Sequence, residues 1–482
     1  MTVRLVAVEE FLIRGTMDLL LTHGYFLRED PKELQIMKPY PPLGILYLSS
    51  HLRRLGFGVE AYDSTFGSLA ELSGLLESYK PGVLGVYATL MTRGNALAIT
   101  AAAKARGWTV VLGGPEPSNY ASEYLAHGAD FIVEGEGELT LQELLLALRA
   151  NDAAAVANVR GLYSQDISGR VVHSGPREQI ADLNAQPWPD RERIDIEQYI
   201  RVWREHHGKG SVSVITARGC PYHCRWCSHS TYGKTHRRRS VENVAAEVEW
   251  ILERYHPDML WMADDVFTIH YGWIRSYLSE VKRRGIRIPF ECITRADRLT
   301  SEMADALAEL GCFRVWVGSE SGSQRLLDAM ERGVTVDEVQ RAISLCRTRG
   351  IETGMFLMWG YDGEELADIE ATVEHVKTCL PDVFFTTVSY PIKGTPYYSE
   401  VSDRLVSPDD WADMSDRELR IRGRHSRRYF QFADKLLRSE VELHQLRCQN
   451  SGAGDSPAAR ELESQAALAR RGLQDAAQEV EA

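Results

Sequence analysis

Short runs rich in Val, Ile, Leu and aromatic residues punctuate the start of the chain: Val3–Val8, Gly58–Asp63, Val83–Ala88, Trp108–Gly113 and Asp130–Val133. Between them, Gly44–Leu55, Ser68–Tyr79, Asn95–Arg106, Ala121–His127 and Leu139–Arg149 place apolar residues at helical spacing. This alternation predicts an α/β fold, a doubly wound parallel sheet of Rossmann-like type over residues 1–150. Such sheets bind ligands beyond the carboxyl ends of their strands. The segments there are Asp63-Ser64-Thr65, Ala88-Thr89-Leu90, Gly113-Gly114-Pro115 and Glu134-Gly135-Glu136-Gly137-Glu138. Two of the four are glycine-rich, which lets a ligand approach the backbone closely.

Residues 151–210 break the pattern. Arg160–Ser174 alternates around Ser168-Gly169 and predicts a hairpin. Pro187, Pro189 and the charged run Asp190–Asp195 then read as an extended linker. From Ser211 the alternation resumes. Strands are predicted at Ser213–Ala217, Met259–Ala263, Ile288–Ile293, Phe313–Gly318, Glu352–Leu357 and Phe384–Ser389. Helices are predicted at Val241–Tyr255, Gly272–Arg284, Ser301–Leu310, Val336–Thr348 and Glu365–Cys379. Six strands with five crossover helices make a partial (βα)6 barrel over residues 211–400, with its active face at the strand carboxyl ends. Residues 401–450 read as a helical C-terminal region. The Ala-rich, charged stretch 451–482 reads as a tail, a frayed helix or disordered.

The 482 residues are 44% hydrophobic and 26% charged, an ordinary globular composition. The net charge of −13 argues against broad binding to a nucleic-acid backbone. No apolar run approaches the roughly 18 residues of a membrane span. Met1–Arg14 has no basic, cleavable leader pattern, so a cytoplasmic protein is expected. Eight cysteines are unevenly spread, with Cys220, Cys224 and Cys227 crowded together. Without an export signal, that clustering points to metal binding rather than to disulfides.

The cysteine motif Cys220-Pro-Tyr-His-Cys224-Arg-Trp226-Cys227 follows the first barrel strand directly. Three thiolates so spaced suit three corners of a cubane iron–sulfur cluster, with the fourth iron left open. A structural zinc site, with His223, His229 or His236 as fourth ligand, is the alternative; zinc ligands more often come as two separated pairs. The motif resembles the signature of the radical S-adenosylmethionine (SAM) enzymes. The strand ends agree: Asp264-Asp265 after the second strand, Thr294-Arg295 after the third, and Gly318-Ser319-Glu320 after the fourth. Gly360-Tyr361-Asp362-Gly363-Glu364 is similar to the family's fifth loop, with Asp362 in place of its proline, and Lys393-Gly394-Thr395-Pro396 follows the sixth strand. The resemblance implies that Cys220, Cys224 and Cys227 ligate a 4Fe–4S cluster. It also implies that Trp226, Asp264, Asp265, Arg295, Gly318 and Glu320 contact SAM, which is cleaved to a 5′-deoxyadenosyl radical. Arg237, Arg238 and Arg239 read as a solvent-facing charge run, with contact to an anionic substrate as the alternative.

The first 150 residues resemble the cobalamin-binding domain that precedes the barrel in one large subclass. The order Pro41-Pro42-Leu43-Gly44, Thr89, Gly113-Gly114 and Glu134-Gly135-Glu136 carries that likeness. It implies cobalamin contacts from Thr89, Leu90, Gly113, Gly114, Glu134, Gly135 and Glu136. The DxHxxG motif of an axial histidine is absent, and His51 and His127 read as incidental. The loop Val8-Glu9-Glu10-Phe11 lacks the Asn-Pro-Pro of many relatives. The class B radical SAM methyltransferase-like subclass implies methylation of an unactivated carbon in a small-molecule or natural-product substrate. A one-electron donor such as flavodoxin or ferredoxin is implied as partner, with no nucleic acid and no integral membrane segment. Oxidative cyclisation or ring rearrangement with associated cobalamin shares these motifs. A non-catalytic iron–sulfur or cobalamin sensor is the reading from another class, but no DNA-reading helix beside a basic stripe is evident. Cys292, Cys312, Cys346, Cys379 and Cys448 read as core or surface thiols.

Overall fold

The computed structural model describes residues 17–449 and 456–481. The expected strand Val3–Val8 and the loop Val8–Phe11 lie outside the described residues. The chain forms two compact units. One comprises the chain to Pro221 with Ser228–Leu260 and Asp409–Ser415; the other comprises Tyr222–Cys227, Trp261–Pro408 and the chain from Asp416.

The first unit is built on a seven-stranded sheet: β1 Leu19–His23, β2 Val59–Ala61, β3 Val83–Tyr87, β4 Thr109–Gly113, β5 Phe131–Val133, β6 Leu162–Gln165 and β7 Val171–His173. The order is β2-β1-β3-β4-β5-β6-β7. Pairings through β5 are parallel, and the hairpin β6–β7 adds antiparallel at the edge. Helices α1 Leu43–Arg54, α2 Leu69–Ser78, α3 Arg93–Lys104 and α4 Glu138–Arg149 cover the faces. Alternate strand residues divide between two cores. Leu20, Leu84, Val86, Val110 and Leu112 pack with residues of α2 and α3. Leu19, Leu21, Val83, Val111 and Phe131 pack with residues of α1 and α4. Burial of both strand faces is the mark of a doubly wound sheet.

Two elements here differ from the sequence expectation. The interior strand β1 is the run Leu-Leu-Leu-Thr-His, which no alternation marks, because both its faces are buried. The expected extended linker contains a helix, α5 Ile196–His207. Its Asp195 cap accepts from the Gln198 amide, Gly208 ends it in the left-handed region, and Ile196, Tyr199, Ile200 and Trp203 form its buried stripe.

The barrel strands are β8 Ser211–Val214, β11 Met259–Met262, β12 Phe290–Thr294, β13 Cys312–Glu320, β14 Glu352–Trp359 and β15 Val383–Val388. They lie in the order β15-β14-β13-β12-β11-β8, so each newly added strand joins one growing edge. Between β8 and β11 the chain forms a short antiparallel ribbon, β9 Ala217–Arg218 with β10 Arg237–Arg238, in the first unit. Helices α6 Val241–Tyr255, α7 Tyr271–Arg284, α8 Ser301–Leu310, α9 Val336–Arg347 and α10 Leu366–Cys379 alternate with the strands.

Beyond the barrel, α11 Arg427–Gln449 precedes α12 Pro457–Ala476. The tail, expected as a frayed helix or as disorder, is largely this second helix. Ser456 caps it, and Ala459, Ala466, Ala469, Gly472, Leu473 and Ala476 are buried. Alanine's small side chain lets two helices approach closely: Gly472 lies against the Phe432 ring, where an added Cβ would stand 2.4 Å away. A polar composition hid that narrow apolar stripe.

Candidate active site

In the second unit, the carboxyl ends of β12 and β13 gather charged side chains around Cys224. Cys224 is buried, and the guanidiniums of Arg295 and Arg332 donate to its sulfur at 3.9 and 3.8 Å. Arg295 follows β12. It is oriented by Asp297 at 2.8 Å, by the Arg332 carbonyl at 2.8 Å, and by the Tyr222 ring, whose centroid lies 3.6 Å from the guanidinium carbon. Arg332 follows a short helix and donates to the Gly318 carbonyl at 2.9 Å. Its Nε lies 3.6 Å from Glu320 without a hydrogen-bond geometry. Gly318 leaves room for the ends of two side chains: an added Cβ would stand 2.7 Å from both the Arg332 guanidinium and the Glu320 carboxylate, which would have to shift.

Glu320 ends β13 at φ +63°, in the left-handed region that a non-glycine residue occupies at a cost of about 1–3 kcal/mol. A register shift between Gly318 and Glu320 produces that geometry. Burial raises the Glu320 carboxyl above its usual range, and Arg332 and Arg295 oppose the rise. Asp264 is buried after β11. Solvent reaches Asp265, yet protein surrounds it on most sides; that desolvation, and then Asp264, raise its carboxyl. The Cys227 amide donates to the Cys224 carbonyl at 3.1 Å, a tight turn within the loop. Trp226 packs against Leu326, Met330, Met358, Tyr361 and Tyr397, and its indole nitrogen is buried with no partner. Cys220 and Cys227 are half-buried.

In the first unit, Thr89, Leu90, Gly113, Gly114, Glu134, Gly135 and Glu136 all lie at the carboxyl edge of the parallel strands. Gly114 has φ +111°, and a Cβ there would stand 2.4 Å from the Ala88 carbonyl oxygen. Glycine alone lets the loops after β3 and β4 close together. Gly135 has φ +74°. Glu134 lies 3.0 Å from His173, whose ring stacks on Tyr163 at 4.1 Å. Glu136 is buried and engages protein with both oxygens: Arg218 at 2.7 Å on one, Arg237 at 2.6 Å and the Ile180 amide at 2.8 Å on the other. Arg218 also pairs with Glu138 at 2.7 Å. The Arg237–Arg239 run is therefore not a solvated face. Arg239 is buried against Glu247, with Arg191 at 2.5 Å on that carboxylate's other oxygen. Burial alone would raise Glu247; the two guanidiniums outweigh it and hold it below its usual range.

The family model described as the radical SAM superfamily matches residues 214–376, and that described as the B12 binding domain matches residues 35–145. The chain thus carries a radical SAM domain and a B12-binding domain. It is 28% identical over 384 residues to an uncharacterized methyltransferase of Pyrococcus horikoshii, covering 77% of this chain and 81% of that one. It is 26% identical over 381 residues to the anaerobic magnesium-protoporphyrin IX monomethyl ester cyclase of Rubrivivax gelatinosus, covering 77% and 68%. Its fold matches the radical SAM methyltransferase TsrM from Kitasatospora setae, solved with cobalamin and a 4Fe–4S cluster, at TM-score 0.70 and 22% identity, covering 82% and 81% of the two chains.

These two domains imply a 4Fe–4S cluster, SAM and cobalamin. The residues fit that set. A cysteine sulfur faced by two guanidiniums complements the negative charge of a thiolate-bound cluster. The unpartnered Trp226 and Arg332 nitrogens are buried donors of the kind a bound polar ligand satisfies. The Gly113-Gly114 and Gly135 loops offer backbone to a large ligand. Among the described residues, no three His, Cys, Asp or Glu side chains converge as a mononuclear metal site requires. No helix among them is long and apolar enough to cross a membrane.

Sequence reasoning misses Arg332 and His23. Arg332 lies 108 residues from Cys224; the one local hint is a charged pair, Glu331-Arg332, wedged before Gly333. His23 ends β1. Its Nε2 lies 2.9 Å from Asp63, and its Nδ1 accepts from the Tyr25 amide at 3.3 Å, so both nitrogens are engaged. Of the remaining cysteines, Cys292, Cys312, Cys346 and Cys379 are buried and Cys448 is exposed. Burial pushes the Cys346 and Cys379 thiols up to about 12, which leaves them uncharged and unreactive at neutral pH.

Proposed function

We propose that the chain is a cobalamin-dependent radical SAM methyltransferase that methylates an unactivated carbon of a small-molecule substrate. The observation that carries this reading is the buried Cys224 sulfur faced by Arg295 and Arg332 at the carboxyl ends of barrel strands, in a chain that also has a B12-binding domain. The methyltransferase names of the Pyrococcus relative and of TsrM support methyl transfer over other outcomes. When bound, the cluster and SAM supply hydrogen-atom abstraction, and cobalamin supplies a transferable methyl group.

Cys220, Cys224 and Cys227 hold three irons. Arg295 and Arg332 set the charge around the cluster, and Asp297 and Tyr222 keep Arg295 in place. Asp264, Asp265 and Glu320 face the charged groups of SAM, Gly318 lets its nucleoside pass close to the backbone, and Trp226 shields it from water. Thr89, Leu90, Gly113, Gly114, Glu134 and Gly135 cradle cobalamin, while Glu136 positions that loop through Arg218 and Arg237. An external one-electron donor of the flavodoxin or ferredoxin type completes the system.

The test is anaerobic reconstitution with iron, sulfide and cobalamin, followed by incubation with SAM, a low-potential reductant and candidate substrates. 5′-Deoxyadenosine and a product heavier by one methylene are expected. SAM cleavage that yields only a product lighter by hydrogens overturns methyl transfer. It would establish the second reading, oxidative cyclisation, which the Rubrivivax relative favours. No SAM cleavage by an iron-loaded protein overturns both.

A further inference from the structure

The barrel interior carries an aromatic group outside the residues assigned above to the cofactors. Trp316, Phe356 and Phe385 stand on three adjacent strands, β13, β14 and β15, in near-parallel planes. Trp316 lies 5.3 Å from Phe356 at 16° and 5.4 Å from Phe385 at 11°, and Phe356 lies 6.4 Å from Phe385 at 20°. Strand register places them on one face, with Phe356 opposite Phe385. The other face packs on helices: Ser319 bonds to His375 of α10 at 3.0 Å, Thr386 donates to Asp434 of α11 at 2.5 Å, and Arg438 covers Phe384. The three rings therefore face away from the helices, on the inside of the barrel wall. Along the same side of β13, two residues beyond Trp316, stands Gly318, whose carbonyl holds Arg332.

The rings form a near-parallel triangle, fixed at Trp316 and open at Phe385. The Trp316 indole donates to Glu291 at 2.9 Å. It lies flat over Gly354, where any Cβ would come within 2.2 Å of the ring. Arg314 stands 5.7 Å from its centroid, paired to Glu352. Trp316 is thus buried and oriented, and covering Gly354 accounts for it as packing. Phe385 has no such account: it is 49% exposed on the edge strand. A half-exposed ring held beside two near-parallel, ordered rings is preorganised to receive another planar ring, at little entropic cost.

We propose that the substrate of this barrel carries a planar conjugated ring system, which extends the Trp316–Phe356–Phe385 stack by lying against Phe385. This deepens the methyltransferase reading by naming the substrate class, and it is tested by binding, without turnover. Flatness is what the stack selects: offset-parallel aromatic pairs add about 0.5–1.5 kcal/mol beyond the area they bury, which a puckered ring of equal carbon count does not gain.

The reconstituted protein is titrated calorimetrically with 2-naphthoate and with its saturated counterpart, decahydro-2-naphthoate. The planar acid should bind about three- to tenfold more tightly. Phe385→Leu keeps an apolar side chain and removes the ring; it should erase that preference while leaving the saturated probe's affinity and the melting temperature in place. Equal affinity for both probes, binding of neither, or a preference that survives Phe385→Leu overturns the proposal. SAM cleavage measured on the same preparations separates this outcome from failure of the methyltransferase reading.

Discussion

Gly114 and Cys224 stand at the carboxyl edges of two sheets, and their surroundings differ in kind. Around Gly114 the loops are shaped by a missing side chain, and the nearby charged residue Glu136 is fully engaged by Arg218, Arg237 and a backbone amide. Around Cys224 the chain brings two guanidiniums and a strained glutamate, and buried nitrogens of Arg332 and Trp226 have no partner. One edge is a backbone cradle whose charges hold protein to protein. The other holds polar groups that protein alone does not satisfy. Substitutions at the first should therefore act through stability and shape, and substitutions at the second through chemistry.

The sharpest break of that contrast is Cys224→Ala. SAM cleavage should fall to background while the melting temperature moves little, read as 5′-deoxyadenosine formed anaerobically. Retained cleavage would remove Cys224 from the cluster. Arg218→Ala should do the reverse, leaving Glu138 buried without its Arg218 partner and Glu136 with Arg237 alone. Loss of a buried partner costs about 3–5 kcal/mol, seen as a lower denaturation midpoint. If iron binding falls without loss of stability, the ion-pair network belongs to the chemistry and the contrast fails.

Gly114→Ala meets both a left-handed backbone and the Ala88 carbonyl. About 1–3 kcal/mol of strain should appear together with reduced cobalt content after reconstitution. Unchanged cobalt content would mean that the loop does not cradle cobalamin. Smallest per unit change is a pH effect in the barrel. Burial raises the Glu364 carboxyl to about 8, and the Gly360 amide donates to it at 2.6 Å. The folded state thus keeps a proton that the unfolded chain releases near its usual 4.5. Stability should decline as pH rises from about 4.5 towards 8, by roughly 1 kcal/mol per pH unit, and level off above. Glu364→Gln should flatten that decline in melting curves taken across the range; an unchanged slope would assign it to other groups.

Much of this architecture is legible along the chain because it follows local periodicity. Val241–Tyr255 and Ser301–Leu310 begin and end where their apolar spacing and their caps, Ser240 and Thr300, place them. The exceptions are instructive. β1 is buried on both faces, so its leucines show no period of two. Helix Ile196–His207 shows its stripe at 196, 199, 200 and 203, but the charged residues before it draw the eye to a linker. In α12 the buried stripe is made of alanines, which composition alone counts as neutral.

The cysteine spacing, the strand-end residues of the barrel and the glycines at the first sheet's edge are properties of the sequence by itself, since each lies within one loop. What each charge is for was decided only by the tertiary structure. Glu136 looks like a ligand contact until Arg218, 82 residues away, closes on it. Arg237 and Arg239 look solvated until Glu136 and Glu247 bury them. Arg332 shows nothing until it reaches Cys224. Periodicity is written over a few residues because helix and strand are local, whereas a buried charge is stable only beside its partner, and folding alone brings distant partners together.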